Sequence, residues 1–333
     1  MTSAPGPLGV SPGNNYESWP LVVEDGSDLL VVYSEGAQHN YVSGRKVVAA
    51  RLTGLGYDTW ATETVYDSAN DDYTNSIGVD SSGRPLVWIL ERSSGDVDTG
   101  TGQQVLRRRE AGSWSTVTTI PVATYTPKIR LIDPILTLAN GDMLAHWFGV
   151  SDGNSEHGIL YTDDDWATHT RITIASGLSD AQRPVEVRFV LLSDGTILGV
   201  GRTENIGDGM FQLMLPPGGD PLTPGDWVKV STNITDQERT PMALIAEADD
   251  TLHGYYYDRG TGVLRYRTVA AATVIASPTS WPTSTALVTG GGLDADGGYP
   301  SALRDGATNR VVWYSGVDGA NHVRVFLLNH TPG

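Results

Sequence analysis

Six stretches of this chain repeat one pattern: an apolar strand, often opened by proline, then a tight polar turn, then a second strand rich in aromatic residues. They read SWPLVVEDGSDLLVVYSEG from Ser18, TNSIGVDSSGRPLVWILER from Thr74, IDPILTLANGDMLAHWFG from Ile132, EVRFVLLSDGTILGVGR from Glu186, RTPMALIAEADDTLHGYYYD from Arg239 and GYPSALRDGATNRVVWYSG from Gly298. Each leads into a third strand: GRKVVAARL, QQVLRRRE, GILYTDD, MFQLMLP, VLRYRTV and HVRVFLLN in turn. Five then reach a tryptophan and a fourth strand, at Trp60, Trp114, Trp166, Trp227 and Trp281. A single four-stranded unit cannot cover its own apolar faces, so neighbouring units must stack. The pattern predicts an all-β fold: a six-bladed β-propeller of four-stranded blades, one domain over 1–333 with blades starting near 18, 74, 132, 186, 239 and 298. The sixth unit stops after three strands, so the segment before Tyr16 is expected to supply the missing outer strand and close the ring. Tryptophans that recur once per unit are expected to be packing anchors between blades, because a ligand site would not recur five times.

Composition removes several function classes. The chain contains no cysteine, which excludes disulfides and thiol or Cys-zinc chemistry. Its formal charge of −17 argues against binding nucleic acid or an anionic membrane through a general field. No run of about 18 apolar residues occurs, so no membrane insertion is expected, and the start MTSAPGPLGVSPGNN lacks the charged and apolar parts of a signal peptide. The seven histidines are scattered without close ligand spacing, and LDADGG (293–298) lacks the glutamate that completes a calcium loop, so neither a metal nor another cofactor is expected.

In a propeller the first strand of each blade lines the central channel, and its beginning faces the pocket at one end. The residues there are Trp19, Asn75, Asp133, Glu186, Thr240 and Tyr299, with Ser18, Asp72, Tyr73, Arg183 and Arg239 close by. Carboxylates, a phenol, arginines and an aromatic face in one concavity suit a carbohydrate: rings stack on the sugar and charged groups hydrogen-bond its hydroxyls or carboxylates. Within EVRFVLLSDGTILGVGR the Ser193-Asp194-Gly195 turn sets Leu192 against Thr196, with Gly195 left-handed, and so predicts Glu186 directly opposite Arg202. An exposed cross-strand pair of that kind contributes only about 0.2–1 kcal/mol and needs no function. The site reading therefore depends on what the repeats place beside it.

The repeats resemble the sialidase superfamily, the BNR or Asp-box propellers, over nearly the whole chain. The family's Ser-x-Asp-x-Gly-x-Thr-Trp turn is eroded here: TGLGYDTW (53–60) keeps its end, TDDDW (162–166) is shortened, and PGDW and PTSW keep little beyond the tryptophan. The resemblance implies Tyr299 as a nucleophile activated by Glu186, and Arg202 with Arg259 or, less well aligned, Arg239 as substrate-binding arginines. It also marks two departures. Where the family opens with Tyr-Arg-Ile-Pro this chain has Glu17-Ser18-Trp19-Pro20, so one arginine of the carboxylate clamp is missing, and neither serine nor tryptophan replaces a guanidinium. The loop that carries the family's acid/base aspartate reads GAQHNYVSG (36–44), in which His39 is the titratable candidate. A partial second resemblance, to propellers that include polysaccharide lyases, rests on NDDYTNSIGVDSSGRPL (70–86), with Tyr73 at the family's histidine position; His39, Tyr73 and Arg202 would then share the lyase roles.

Together these readings give a glycan-recognising, sialidase-like propeller, expected in an extracellular or virion-borne assembly such as a phage tail receptor-binding protein. The alternative is an active retaining glycoside hydrolase on a sugar other than sialic acid, with Tyr299 as nucleophile, Glu186 activating it and Asp133 or His39 as acid/base. A polysaccharide lyase and a purely structural module rank below both. Expected substrate contacts are Arg202, Arg259, Arg239, Trp19, Tyr73 and Asp72. The expected partner is a glycan or polysaccharide, with homo-oligomer or particle assembly left open.

Overall fold

A computed structural model describes residues 7–13, 15–39, 44–53, 59–94, 101–121, 128–131, 134–151, 154–179, 182–203, 209–235, 240–316 and 322–332. After a short β1 (Leu8–Gly9), the first repeat forms β2 (Tyr16–Asp25), β3 (Asp28–Gly36), β4 (Lys46–Thr53) and β5 (Thr59–Tyr66). The second forms β6 (Asp71–Val79), β7 (Pro85–Ser94), β8 (Thr101–Glu110) and β9 (Ser113–Pro121). In the third the inner strand is split into β10 (Lys128–Leu131) and β11 (Leu136–Thr137), followed by β12 (Met143–Ser151), β13 (Asn154–Thr162) and β14 (Thr170–Leu178). The fourth has β15 (Pro184–Leu191), β16 (Ile197–Thr203), β17 (Met210–Leu215) and β18 (Val228–Ser231). The fifth has β19 (Ala243–Ala246), β20 (Thr251–Asp258), β21 (Val263–Ala270) and β22 (Thr285–Val288); the last has β23 (Gly297–Asp305), β24 (Thr308–Gly316) and β25 (Val323–His330). Within each repeat the strands pair antiparallel in chain order. One six-residue helix, Ala271–Ala276, interrupts the fifth repeat, and the sequence pattern gives no sign of it.

β1 pairs antiparallel with β25, Leu8 opposite Leu327 and Gly9 opposite Phe326, so an N-terminal strand does lie at the outer edge of the last repeat. Tyr16 at the start of β2 also meets Val323 in a parallel contact, which joins the first and last repeats into one eight-stranded sheet.

Among the described residues the buried apolar side chains divide into six clusters, each lying between two consecutive repeats. Val32, Val47, Ile77 and Val87 fill the space between the first and second, and Trp88, Leu106, Trp147 and Trp166 that between the second and third. Val31, Tyr33, Val312 and Tyr314 do the same between the last and the first. This follows from strand alternation: successive side chains point to opposite faces, so every inner strand contributes to two cores. Each of the five recurrent tryptophans turns toward the preceding repeat. Trp166 packs edge-on to Trp88 at 5.4 Å, the Trp114 indole donates to Glu63 at 2.8 Å, and the Trp281 indole donates to Gln212 at 2.7 Å. Trp227 and Trp60 join the clusters shared with the third and the last repeat. Burying one such ring contributes about 2–3 kcal/mol, so the tryptophans hold neighbouring repeats together.

The core between the third and fourth repeats contains two buried histidines, His146 and His157, with ring centres 5.6 Å apart. Burial, and then the charge each would face from His157 or Lys229, holds His146 well below its ordinary range and His157 down to about 3. Both are therefore neutral in the fold, whereas in the unfolded chain a histidine takes up a proton near pH 6.5. The unfolded state thus binds more protons below pH 6.5, and stability falls as the pH drops from there toward the folded values. At pH 5 this costs about 2 kcal/mol for each ring. Asp72, raised to about 6 first by burial, acts in the opposite direction over pH 6 to 3.8 and offsets part of the loss. Thermal melts should show Tm falling between pH 7 and pH 5, and His146→Leu with His157→Leu should flatten that slope; equal slopes in the variants would refute this origin.

Candidate active site

Two positions of the repeat build the site. The first is an irregularity near the start of the inner strand, where the ladder slips between Ser18 and Leu21, Thr74 and Ser76, Val185 and Arg188, and Gly298 and Ser301. A bulge of this kind re-aims a side chain and ends regular pairing. At three of the four, the re-aimed residue is in the left-handed region: Trp19 at φ 51°, Glu186 at φ 55° and Tyr299 at φ 47°. For bulky L-residues this conformation costs roughly 1–2 kcal/mol each, so packing must hold them there. The second position is the end of the second strand, which carries Arg92 on β7, Arg202 on β16 and Arg259 directly after β20.

The hairpin register differs from the predicted one. Gly195 is left-handed at φ 89° and the Leu192 amide donates to the Thr196 carbonyl, as the turn requires, but Arg202 faces Val185 across the ladder. The extra residue of the bulge shifts Glu186 out of register with Arg202 and turns its side chain back. The pair forms through that turn: Arg202 Nε donates to Glu186 Oε2 at 2.5 Å. Tyr299, more than a hundred residues away in sequence, donates its hydroxyl to the other oxygen, Oε1, at 2.7 Å.

Arg259 completes this centre. Its guanidinium lies 5.4 Å from the centre of the Tyr299 ring and donates to the Gly297 carbonyl at 2.7 Å and the Tyr314 hydroxyl at 3.0 Å. Gly298 permits the approach: it has φ 136°, and a Cβ there would lie 2.7 Å from Thr240 Cγ2 and 3.2 Å from Arg259 Nε. Burial opposes the charge on Glu186, but the Arg202 guanidinium and the bonds from Arg202 and Tyr299 overcome it and keep the carboxyl below its usual range. Burial first, then the Glu186 charge, raises the Tyr299 phenol above its usual range. The resting site therefore holds a neutral phenol hydrogen-bonded to an ionised carboxylate. That arrangement can accept the phenol proton as the oxygen attacks an electrophile.

These groups open on a cavity of about 260 Å³ shared by side chains from all six repeats. Trp19 forms the wall next to Tyr299, its ring 4.9 Å from Tyr73, 5.3 Å from His39 and 6.5 Å from Tyr299. The Arg45 guanidinium lies against both rings, 5.1 Å from Trp19 and 4.6 Å from Tyr73, and the Arg92 guanidinium lies 4.8 Å from Tyr73. Arg45 and Arg92 are both anchored on buried Asp71, at 2.7 and 2.6 Å. The result is a fixed aromatic face where the family resemblance expects an arginine.

Of the residues singled out in the sequence, Tyr299, Glu186, Arg202, Arg259, Trp19, Tyr73, His39 and Asn75 all line the cavity. Asp72 does not. Along β6 it alternates with Asp71 and Tyr73, so it faces away and accepts from Ser68, at 2.8 Å from the amide and 2.7 Å from the hydroxyl. Thr240 is buried behind the wall, donating to the Tyr257 carbonyl at 2.6 Å. Asp133 and Arg239 lie outside the described residues, as does most of the loop after His39. His39 Nδ1 lies 2.8 Å from the Tyr16 hydroxyl, and burial with the Arg259 and Arg45 charges pushes the imidazole down to about 4, so near neutrality it is uncharged. Arg92, Arg130, Arg188 and Phe148 also line the cavity and were missed by the sequence reading. Arg92 was findable, since LERSS ends its second strand as VGRTE ends that of Arg202. Among the described residues no group of three or more His, Asp or Glu side chains could hold a metal ion.

No protein-family model and no curated protein matches the sequence. Among solved structures, a protein of unknown function from Dyadobacter fermentans DSM 18053 is similar at TM-score 0.79 and 15% identity, covering 99% of this chain and 100% of that one. Trypanosoma rangeli sialidase in complex with sialic acid is similar at TM-score 0.70 and 10% identity; the match covers 99% of this chain but 57% of that one, so this chain spans little more than half of the sialidase. A thermostable family-43 glycoside hydrolase is similar at TM-score 0.54 and 13% identity, covering 99% of this chain and 96% of that one. Identities this low speak to the fold, and the fold is that of a sialidase-like propeller.

Proposed function

We propose that the chain is a six-bladed propeller, closed by its N-terminal strand, that works as a retaining glycoside hydrolase on a sugar other than sialic acid. The observation that carries the reading is the Tyr299–Glu186–Arg202 chain, with the phenol at 2.7 Å from one carboxylate oxygen and the guanidinium at 2.5 Å from the other. Six inter-repeat cores, including one between the last and first repeats, support the ring.

In this mechanism the Tyr299 oxygen attacks the anomeric carbon while its proton passes to Glu186, and the aglycone leaves with the bonding electrons. Water then attacks the anomeric carbon of the glycosyl-tyrosine and the bond to Tyr299 breaks; Glu186 returns its proton to the departing phenolate, re-forming the phenol, and the surplus proton of the water is released to solvent. Arg202 keeps Glu186 ionised, and Arg259, with its guanidinium over the Tyr299 ring, favours negative charge developing on the phenol oxygen. The wall around Trp19 supplies an aromatic face for the sugar ring. His39, uncharged near neutral pH, is poorly placed in protonation to act as the acid for a reluctant leaving group, so activated aryl glycosides are the substrates to try first.

A panel of p-nitrophenyl glycosides of neutral and acidic sugars, assayed beside a glycan array, tests the proposal. Release of nitrophenol with retained anomeric configuration supports it. Glycan binding without turnover of any substrate would instead favour a recognition module, the reading to which the Ser18-Trp19 replacement of the arginine points. Silence in both assays would leave a structural role.

A further inference from the structure

The seam between the fifth and sixth repeats carries a polar chain that the cavity chemistry does not use. His253 of β20 stands between Glu247 and Tyr266 of β21, with Nε2 at 2.7 Å from the carboxylate and Nδ1 at 2.8 Å from the phenol oxygen. The same Glu247 oxygen accepts from Arg304 of β23 at 2.9 Å, and Arg304 donates to Asn309 of β24 at 2.9 Å. Asn309 in turn donates at 2.6 Å to the Tyr255 hydroxyl, which lies 2.8 Å from Nδ1 of His330 on β25. The His330 and Tyr266 rings meet edge to face at 4.6 Å, so the chain returns to where it began. It crosses the seam at Glu247–Arg304, Asn309–Tyr255 and Tyr255–His330. The two strands it ties together also serve the cavity: His253 precedes Arg259 by six residues, and Arg304 follows Tyr299 by five. That is about 17–20 Å of extended strand. At the cavity end the same strands are joined by the bond from Arg259 to the Gly297 carbonyl.

The partners assign the protons of the chain. Asn309 donates to the Tyr255 oxygen, so the Tyr255 hydroxyl gives its own proton to His330 Nδ1, which must be bare. A carboxylate only accepts, so His253 carries its proton on Nε2 and takes the Tyr266 proton on Nδ1, while Tyr266 is bonded also to Thr268. Both imidazoles are therefore neutral while the seam is closed. We propose that this chain is an acid-operated latch: a proton taken up by His330, with His253 following, opens the seam and loosens the strands that carry Arg259 and Tyr299. A proton on His330 Nδ1 would meet that of the Tyr255 hydroxyl. Turning the hydroxyl away would leave a donor without an acceptor at a side chain that has no exposed surface, which costs more than a satisfied bond contributes. A proton on His253 would set a second cation beside the Glu247 oxygen that already holds Arg304. Burial first keeps both rings below the ordinary histidine range; Glu247 and Asp249 raise His253 while Arg304 lowers it, and the His253 charge lowers His330. The open seam takes up protons near pH 6.5 and the closed seam only below that. Opening is therefore favoured as the pH falls below 6.5, by up to about a hundredfold per ring at pH 4.5.

Hydrogen–deuterium exchange of the full chain at pH 7.5 and pH 4.5, with each rate divided by the intrinsic rate at that pH, tests the latch. Protection over 251–262 and 297–305 should fall at least tenfold at the lower pH, while 71–79 and 85–90 keep theirs within about threefold. His330→Asn places an amide oxygen where Nδ1 accepts and takes up no proton, so it should keep wild-type protection at pH 7.5 and hold the acid loss below about threefold. The histidine pair between the third and fourth repeats would leave a different pattern, centred on 143–148 and 157–162. A loss confined to those segments, a loss equal over all repeats, a loss that survives in His330→Asn, or no loss at all would overturn the latch. Because a variant can disturb packing, the imidazole C–H resonances of the wild type, followed by NMR through the same range, give a second reading. His330 should take up its proton over the interval in which 251–262 loses protection, and a His330 that stays neutral throughout would overturn the latch whatever the variant does. Both readouts come from the strands and the ring, so they stand whether or not the cavity turns over a glycoside.

Discussion

Tyr299→Phe is expected to lower turnover at least a thousandfold while leaving the chain folded and its glycan affinity within a few-fold of wild type. The substitution removes one oxygen and keeps the ring that packs beside Trp19 and Tyr314 and beneath Arg259. What it takes from the structure is a single hydrogen bond to Glu186, worth about 1.5–3 kcal/mol for a charged acceptor, so Tm should drop by only a few degrees. Glu186→Gln is a less clean probe. It would slow the reaction by about two to four orders of magnitude by removing the base, but it also strips Arg202 of a buried counter-charge, which costs about 3–5 kcal/mol of stability. The pH dependence separates the two roles: because Glu186 is held below the ordinary carboxylate range, the acid limb of kcat/KM that it sets should lie below that range, and it should vanish in Glu186→Gln. Turnover in Tyr299→Phe above a tenth of wild type would rule out the phenol as nucleophile.

The hairpin from Glu186 to Arg202 shows what the sequence could and could not disclose. Its turn was legible because Ser193-Asp194-Gly195 admits few backbone solutions, and the structure has the left-handed Gly195 and the Leu192–Thr196 bond that the turn demands. The bulge was not legible, because an extra residue in one strand leaves no mark in an apolar run; it appears only when the partner strand is in place. Comparing repeats would have been more informative than comparing spacings within one. Trp19, Glu186 and Tyr299 occupy the same bulge position in three repeats, and Arg92, Arg202 and Arg259 the same strand end. Asp72 is kept out of the cavity by parity: adjacent residues on a strand face opposite ways, so Asp72 points away from the face that Tyr73 presents to the cavity. Arg130 and Arg188 were hidden for another reason, since each is one basic residue in an ordinary strand and only the convergence of several repeats brings it to the cavity wall.

Deleting residues 1–13 should lower Tm on the order of 10 °C, because the segment does more than add a strand. Leu8 and Gly9 cover the edge of β25, the Val10 amide donates to the Val325 carbonyl at 3.0 Å, and the Val10 side chain is fully buried in the core shared by the first and last repeats. Losing that burial costs about 2 kcal/mol, and each backbone bond about 1. Glu17 adds a further loss: it has no exposed surface and accepts from the Ser11 hydroxyl and, at 2.8 and 3.0 Å, from the Gly13 amide. Removal of these donors leaves a buried carboxylate short of partners, at a cost of about 2–3 kcal/mol. Together these losses come to about 5–7 kcal/mol, which gives a Tm shift of that size at roughly 2 °C per kcal/mol for a chain of this length. The bare β25 edge would also offer its backbone around Phe326 and Leu327 to other chains, so the truncated protein should aggregate at concentrations the full chain tolerates. Glu17→Gln made in the truncated chain should recover part of the loss by removing a buried charge that has lost the Ser11 and Gly13 donors, whereas the same substitution in the full chain should destabilise. An unchanged Tm on truncation would mean that the first and last repeats are held together without the N-terminal strand, and closure of the ring by that strand would have to be abandoned.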